Sequence, residues 1–333
     1  MIHGMDFTNK TILVTGGAGF IGSHFVEKAA KTNRIIVYDN FSSSVLSLDD
    51  LNDLGHLKVI RGDILDRDKL TDAMKGVDIV FHFAVACVRL SLSDPKYVHE
   101  VNATGTLSAL LSAKQAGVKR FIYISSSEVY GTAHGRRISE THQIQPTTVY
   151  GMSKYVGEMY TRHFNDMEGL PTIIIRPFNT YGPRSHFEGV YGEVIPRFVI
   201  RALNGKQPMI FGTGDQTRDF TYVSDTVEGI MLASKEDSLL GKAINIAYGR
   251  EIKVAHIAKT VCQVAQLPFK PIMKPSRPND VFRHFANIAK AKKLLLWKPT
   301  VAIDDGLKRY ISWVKKTYPD SKKLIEQIPD VNW

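Results

Sequence analysis

The sequence is poor in cysteine and has no long apolar run. Its 333 residues include only two cysteines, Cys87 and Cys262, which are far apart and not in metal-ligand spacing. This usage predicts a reducing compartment, no structural disulfide and no bound metal. No apolar stretch approaches the ~20 residues that span a bilayer. Because Met1–Lys10 also lacks a basic region followed by an apolar run, we expect no secretory signal, no membrane partner and a cytoplasmic location.

Positive charge is in excess but is not concentrated in any segment. The 43 Lys and Arg residues outnumber the 33 Asp and Glu residues, which gives a net charge of +10. Such an excess could attract nucleotide diphosphates or nucleic acid, or it could be a solvated lysine-rich surface. No basic run is longer than two residues, and no aromatic residues are interleaved with a basic stripe. We therefore favour the solvated surface and expect no nucleic-acid partner.

Short β-branched runs alternate with helical stretches up to residue 176, which is the pattern of a parallel sheet covered by helices. The sequence therefore predicts an α/β fold with a doubly wound parallel sheet. Strands are expected at Thr11–Thr15, Ile35–Tyr38, Leu57–Arg61, Ile79–Phe83, Phe121–Ser125 and Thr172–Arg176. Helices are expected at Gly19–Lys31, Asp66–Met74, Pro95–Ala116 and Thr148–Glu168.

A glycine-rich turn follows the first predicted strand. The strand ends at Thr15, and the pattern Gly17-x-Gly19-x-x-Gly22 opens the next helix. One glycine makes the tight turn, another lets the backbone approach a pyrophosphate, and the third lets helix and strand pack closely. The pyrophosphate then lies at the helix N-terminus, where free N–H groups favour anions. A glycine turn without a ligand is the alternative, but the flanking strand and helix favour a bound dinucleotide.

Carboxylates at two strand ends refine the cofactor prediction. Asp39 follows the second strand, where it would accept hydrogen bonds from ribose hydroxyls and repel a 2′-phosphate, so it favours NAD over NADP. A plain turn residue is the alternative for Asp39. Asp63 ends the third strand and could meet the adenine amino group. The expected cofactor contacts in this half of the chain are Gly16, Gly19, Phe20, Ile21, Gly22, Asp39, Asn40, Ser42, Ser43, Asp63, Ile64, Phe83, Ala84 and Val85.

Tyr150 and Lys154 are four residues apart on a predicted helix and therefore share a face. An ammonium beside a phenol stabilises the phenolate, which predicts a general base in a residue that otherwise titrates near pH ~10. Ser125–Ser127 follows the fifth strand, and one of its hydroxyls can hold a substrate oxygen. With the glycine turn, this set predicts hydride chemistry on an alcohol. The alternative is a serine-rich turn beside a helix that merely contains Tyr and Lys.

At these motifs the chain resembles the extended short-chain dehydrogenases that act on nucleotide sugars. The resemblance covers roughly residues 8 to 300, and its segments are Gly16–Gly22, Ser125–Gly131, Tyr150–Lys154, Arg176–Arg184, Gly212–Phe220 and Arg277–Asp280. It implies a Rossmann-like fold that binds NAD. It also implies a homodimer formed through a four-helix bundle of the helices near 95–116 and 148–168.

The resemblance further implies roles for single residues. Tyr150 is the base, Lys154 its partner and Ser126 the serine that orients the substrate hydroxyl. Asn102 falls near the active site, and we expect both Asn102 and Pro177 to contact the cofactor. Two arginines suit a nucleotide diphosphate because each can form bidentate hydrogen bonds. The expected substrate contacts are Arg89, Ser126, Tyr150, Asn179, Arg218, Arg277 and Asp280.

Three reactions share this machinery, and all begin by oxidising the sugar at C4. Glu128 resembles the glutamate of the decarboxylases and of some 4,6-dehydratases. The alternative is that Glu128 is a partly exposed carboxylate at a strand end with no catalytic role. Ser127 stands where one dehydratase subtype has an aspartate. The segment Ala84–Ser91 is more similar to 4-epimerases. Arg89 could pair with a hexuronate carboxylate, or with Asp94 in a structural salt bridge.

We therefore predict an NAD-dependent nucleotide-sugar 4-epimerase that acts on a UDP-hexose, such as UDP-glucose, UDP-GlcNAc or UDP-glucuronate. The alternative reactions are 4,6-dehydration and UDP-glucuronate decarboxylation, in which Glu128 takes part. A non-enzymatic NAD-sensing protein is a further alternative, but the presence of Ser126, Tyr150 and Lys154 favours catalysis.

The composition changes after Pro177, where Gly, Pro and Arg become frequent. We expect a smaller, loop-rich, mixed α/β lobe over the carboxyl edge of the sheet, where small-molecule sites of open α/β sheets lie. The predicted NAD-binding domain covers 1–177, with 218–248 returning to it. The predicted nucleotide-sugar lobe covers 178–217 and 249–333 and ends in an amphipathic helix.

Overall fold

The fold is built on a central parallel sheet, and the computed structural model describes residues 5–53 and 57–331. The strands of the described chain are β1 (Thr11–Thr15), β2 (Arg34–Asp39), β3 (Leu57–Arg61), β4 (Ile79–His82), β5 (Arg120–Ile124), β6 (Thr172–Pro177), β7 (Thr180–Tyr181), β8 (Met209–Phe211), β9 (Thr217–Arg218), β10 (Thr221–Tyr222), β11 (Ala243–Ile246), β12 (Ile252–Lys253) and β13 (Ile272–Lys274). Seven of them form one sheet in the order β11-β6-β5-β4-β1-β2-β3, and every neighbouring pair is parallel. The order reverses between β1 and β4, which is the point where such sheets bind dinucleotides.

Helices cover both faces of this sheet. The α-helices of the described chain are α1 (Phe20–Ala29), α2 (Leu48–Asp53), α3 (Arg67–Ala73), α4 (Leu90–Ser93), α5 (Pro95–His99), α6 (Gly105–Gln115), α7 (Val149–Asp166), α8 (Val194–Leu203), α9 (Val223–Ala233), α10 (Val254–Val264), α11 (Ala289–Leu295), α12 (Ile303–Thr317) and α13 (Lys322–Ile325). α1 and α9 pack on one face, and α3, α6 and α7 pack on the other. The predicted doubly wound, Rossmann-like α/β fold is confirmed, and all six predicted strands lie within one residue of their expected bounds.

The core has two layers because successive side chains of a strand point to opposite faces. On β1, Ile12 and Val14 join the layer under α1, and Leu13 joins the layer under α6. Phe81 on β4 is fully buried between aromatic rings, with its centroid 4.2 Å from that of Phe25. These layers hold the carboxyl ends of the strands in fixed register.

The long helix predicted at Pro95–Ala116 is instead two α-helices joined by a π-helical turn, Glu100–Thr104. The backbone N–H of Gly105 donates to the carbonyl of Glu100, five residues earlier, which marks the widened turn. The side chain of Asn102 leaves the turn and bonds both the N–H and the carbonyl of Ala86. The prediction missed this turn because π-helical turns have no local sequence pattern and are often tied to functional sites.

The region after Pro177 is more regular than the predicted loop-rich lobe. α8 and α10 each bury an apolar face, which includes Phe198 on α8 and Ile257 on α10. β11 lies within the predicted returning segment 218–248 and pairs with β6. The amphipathic C-terminal helix is α12. The division into two lobes stays a prediction, and its outermost residues, 1–4 and 332–333, lie outside the described residues.

No helix in the described part of the chain is long and apolar enough to cross a bilayer. Both cysteines are free thiols, and Cys262 is buried in α10.

Replacing Phe81 by Ala should lower the free energy of unfolding by about 3–5 kcal/mol, because it opens a cavity between packed aromatic rings. Urea unfolding followed by circular dichroism measures this change. Met167→Ala is the matched control, since Met167 is 76% exposed and its loss should change stability by less than about 0.5 kcal/mol. Equal unfolding midpoints for the two variants would contradict the assigned core.

Candidate functional site

A cavity of about 420 Å³ lies along the carboxyl edge of the sheet. It is lined by the turns after β1 and β4, by the start of α7 and by segments from the region after Pro177. Every predicted site residue except Asn102 lines this cavity. The fold therefore brings the predicted cofactor, catalytic and substrate residues to one place.

Two glycines of the glycine turn are packed so tightly that they admit no side chain. A Cβ at Gly16 would lie 2.6 Å from the backbone nitrogen of Ala84, and Gly16 has a left-handed φ of +69°. A Cβ at Gly22 would lie 2.2 Å from the carbonyl oxygen of Gly16. α1 begins after Gly19 without a side-chain cap, and its first residues line the cavity. This geometry fits a pyrophosphate at the helix N-terminus.

Asp39 organises the same turn. Its Oδ2 accepts a hydrogen bond from the Ala18 N–H at 2.9 Å, and its Oδ1 accepts one from the Phe41 N–H at 2.9 Å. Burial raises the pKa of the Asp39 carboxyl, and these backbone N–H groups oppose that rise. The carboxylate lies at the end of β2 beside the cavity, where a ribose would meet it.

The adenosine end of the cavity is built from short polar contacts. The Asn40 side-chain amide donates to Asp63 Oδ2 at 2.9 Å, and the phenol of Tyr38 donates to the Asp63 carbonyl at 2.9 Å. Ser42 and Ser43 line the cavity on this side. These residues would contact the adenosine part of NAD, and the glycine turn would contact its pyrophosphate.

Asn102 lies behind the wall rather than in it. Its side chain is fully buried, bonds the backbone of Ala86 and donates to Ser153 Oγ at 3.2 Å. Ser153 in turn donates to the carbonyl of Tyr150 at 2.9 Å. The structure therefore differs from the predicted direct cofactor contact, because both ends of the amide are occupied by the loop and helix that Asn102 joins.

Tyr150 lies in the first turn of α7, which is capped by the hydroxyl of Thr148. It lines the cavity together with Ser126, which lies just after β5. Burial raises the pKa of Tyr150, the hydroxyl of Ser126 lowers it, and the nearby carboxyls of Glu128 and Glu193 raise it further. The predicted lowering of the Tyr150 pKa is thus opposed by its surroundings, so ionisation requires a positive charge close to the phenol.

Lys154 lies one turn after Tyr150 and is almost completely buried. Its Nζ lies 4.4 Å from the ring centroid of Tyr123, a cation–π contact. Burial lowers the pKa of Lys154 to about 7, and the carboxylate of Glu158 opposes this fall. The charge on Lys154 is therefore sensitive to its neighbours near neutral pH.

Glu128 is the second residue of the short 3₁₀ turn Ser127–Tyr130, which Ser126 caps. Burial raises the pKa of Glu128 to about 7, while the guanidinium of Arg218 lowers it. Its Oε1 lies 4.0 Å from His284 Nδ1. This environment gives Glu128 a carboxyl that can hold or release a proton near neutral pH.

Guanidinium groups gather at the other end of the cavity. Arg218 donates to Asp280 Oδ1 at 2.7 Å, and the guanidinium of Arg277 lies 5.0 Å from the Phe211 ring centroid. Burial lowers the pKa of Arg277 to about 9, and the charge on Arg89 lowers it further. Clustered buried cations are stabilised by an anion, and Asn179 lines the cavity with them.

Arg89 is held by backbone carbonyls and not by Asp94. It donates from Nε to the Val190 carbonyl at 2.7 Å and from Nη2 to the Tyr191 carbonyl at 2.5 Å. Asp94 instead caps α5 through the Tyr97 N–H. The predicted alternative of an Arg89–Asp94 salt bridge is wrong, because Arg89 points across the cavity to the turn at 189–191.

Sequence reasoning missed several ionisable residues of the wall, and Glu193 and Arg197 are two of them. Both belong to the start of α8, and burial raises the pKa of Glu193 and lowers that of Arg197 to about 10. The apolar periodicity of α8 predicts a helix there, but neither residue belongs to a recognisable sequence motif. Within residues 5–53 and 57–331, no three His, Cys, Asp or Glu side chains are grouped to hold a metal ion.

Comparison with known proteins agrees with this geometry. An epimerase structure from Methanothermobacter thermautotrophicus is 34% identical, with a TM-score of 0.89 and 95% of each chain covered. The UDP-glucose 4-epimerase of Thermotoga maritima, solved with UDP-glucose, is 34% identical, with a TM-score of 0.86 and coverage of 92% of this chain and 99% of that one.

A relative named for a different reaction is nearly as similar. The UDP-N-acetyl-alpha-D-glucosaminuronate decarboxylase of Bacillus cytotoxicus is 32% identical over 326 residues, covering 93% of this chain and 99% of the relative. The profile of the NAD dependent epimerase/dehydratase family matches residues 12–247. The chain is therefore a member of the NAD-dependent epimerase/dehydratase family and uses NAD as its cofactor.

Proposed function

We propose that the protein is a nucleotide-sugar 4-epimerase that acts on a UDP-hexose through a transient 4-keto sugar. The observation that carries this proposal is that Ser126 and Tyr150 line the same cavity as the glycine turn and Arg277. A proton acceptor, a dinucleotide site and an anion site thus converge on one substrate position.

In the proposed reaction, Tyr150 takes the proton of the C4 hydroxyl while Ser126 holds the same oxygen in place. NAD, when bound, accepts the C4 hydride and supplies the positive charge that favours ionisation of Tyr150. Lys154 adds a second positive charge on the same helix face. After the ketone turns over, the hydride would return to the opposite face of C4 and so invert that carbon, and Tyr150 would give the proton back to the C4 oxygen.

The substrate's nucleotide end is assigned by charge. Arg218 and Arg277 would bind the diphosphate, since guanidinium groups form bidentate bonds with phosphate oxygens. Asp280 would keep Arg218 oriented through the bond at 2.7 Å. UDP is proposed because the Thermotoga maritima relative was solved with UDP-glucose.

The residues expected around the sugar favour a neutral hexose over a hexuronate. Arg89 is already bonded to two carbonyls, and the half-buried carboxyl of Glu193 is close enough for the charge on Arg89 to lower its pKa. Glu128 contributes a second half-buried carboxyl to the same cavity. A sugar carboxylate would add negative charge beside these two groups, which costs free energy.

Glu128 supports a second candidate, a lyase reaction. A carboxyl with a pKa of about 7 is suited to moving a proton at C5, as 4,6-dehydration requires. Decarboxylation of a hexuronate is the related possibility. Both start from the same 4-keto sugar, so Glu128 and not Tyr150 distinguishes the candidates.

The family-level resemblance also supports a homodimer. α7 exposes two large apolar side chains, Met152 at 49% and Met159 at 46%. They lie seven residues apart, two helical turns along one face of a helix that packs beside α5 and α6. We propose that this face forms the four-helix bundle with a second copy of the chain.

Tyr150→Phe should lower kcat by about 10²–10⁴-fold, because it removes the proton acceptor but keeps the ring. Turnover is measured by NMR with UDP-glucose, UDP-GlcNAc and UDP-glucuronate, and NAD binding by calorimetry should be unchanged. Tyr160→Phe, on the same helix but outside the cavity lining, is the control. Retained turnover in Tyr150→Phe would refute the mechanism, and a wild type that converts none of the three sugars would refute the proposed substrate class.

Glu128→Gln separates the epimerase from the lyase candidates. An epimerase should keep most of its kcat, whereas a lyase should lose about 10²-fold because its proton-transfer group is gone. The reaction is run in deuterium oxide, and the products are read by NMR. Deuterium at C5 indicates a lyase reaction, in which loss of C6 distinguishes decarboxylation from dehydration, and an unlabelled C4 epimer supports the proposed function.

A further inference from the structure

Glu158 is a fully buried carboxylate that bonds three separate segments of the chain. Its Oε1 accepts hydrogen bonds from Ser125 Oγ at 2.6 Å and from Arg176 Nε at 2.7 Å. Its Oε2 accepts bonds from Arg176 Nη2 at 2.5 Å and from Arg162 Nη2 at 2.9 Å. All four acceptor directions of the carboxylate are therefore occupied.

Each of these segments carries a residue of the proposed active site. Ser125 immediately precedes Ser126, and Arg176 immediately precedes Pro177, which lines the cavity. Lys154 lies one helical turn before Glu158 on the same face of α7. One side chain thus joins the end of β5, the end of β6 and the catalytic helix below the cavity floor.

We infer that Glu158 is the positioning residue of the catalytic group: it fixes Ser126 against the Tyr150 helix, and its negative charge keeps Lys154 protonated. This inference rests on the proposed role of Tyr150 in oxidising the sugar. Glu158 does not line the cavity, so it acts through its neighbours and not on the substrate.

The charged groups around Lys154 determine whether loss of the Glu158 charge raises or lowers the pKa of Lys154. β5 presents the ring of Tyr123, and β4 presents His82, which is neutral because burial lowers its pKa to about 3. Glu158 is the carboxylate that raises the pKa of Lys154 against burial. Loss of this charge should therefore lower the pKa of Lys154, so that Lys154 becomes neutral at a lower pH.

Two arginines and two phenols surround the carboxylate of Glu158. Arg176 from β6 and Arg162 from α7 face the carboxylate directly. The phenols of Tyr123 and Tyr130 also face it, and each has a pKa that burial raises, so both are neutral near pH 7. An ion pair with a purely structural role would show the same contacts. The test therefore needs a measurement that does not change when only the stability of the protein changes.

Glu158→Gln is the decisive variant because it keeps the size of the side chain and removes its charge. In the NAD-bound protein, the titration of Lys154 should move down by about one pH unit. It is followed by NMR with [ε-¹³C]lysine, and the Lys154 signal is identified by its loss in Lys154→Met. This measurement needs no turnover, so its result is independent of whether the proposed substrate is correct.

With the sugar that the wild type converts, the alkaline limb of the kcat profile should move down by the same amount, while KM stays within about twofold. Arg162→Gln is the matched control, since it removes a partner of the same carboxylate but leaves the negative charge. Its Lys154 titration should not fall. A Glu158→Gln variant with an unmoved Lys154 titration, or an Arg162→Gln variant with an equal fall, overturns the inference.

Glu158→Asp tests the positioning part if the Gln variant fails to fold. The shorter side chain keeps the charge but cannot reach Ser125 and Arg176 together. Its kcat should fall about tenfold with the Lys154 titration unchanged, and an unchanged kcat overturns the inference.

Discussion

The close approach of two strand ends is the constraint on which this site depends. β1 and β4 lie side by side in the parallel sheet, so the turn at Gly16 meets the backbone of Ala84 at a distance that leaves no room for a Cβ. Gly22 meets the carbonyl of Gly16 in the same way. These contacts set the start of α1 at the topological switch point, and they therefore set where a pyrophosphate can bind.

Burial governs the chemistry of the groups that share this edge. Burial, nearly complete for Lys154 and partial for Tyr150 and Glu128, shifts each of these groups toward its neutral form. Their charge states then depend strongly on nearby fixed charges. In the proposed reaction, NAD, Arg218 and Glu158 would each supply such a charge.

The part of the cavity proposed to bind the substrate is formed by segments that extend beyond the sheet. β7 to β10 leave the carboxyl edge and bring Asn179 and Arg218 over the cavity, and α8 adds Glu193. Arg89 bonds the turn at 189–191 and so joins the loop after β4 to this covering region. Oxidation at C4 would be common to the epimerase, dehydratase and decarboxylase candidates, so a neighbouring group such as Glu128 would decide between them.

The sequence by itself determined the strands, the glycine turn and the spacing of Tyr150 and Lys154, because periodicity and short spacing are local properties of a chain. Only the tertiary structure decided that Asn102 supports the wall from behind, that Lys154 stacks on Tyr123 and that Glu158 joins three segments. Those contacts join residues distant in sequence or depend on how the chain is buried. No local pattern records where such segments meet, since packing and desolvation arise only after the sheet has assembled.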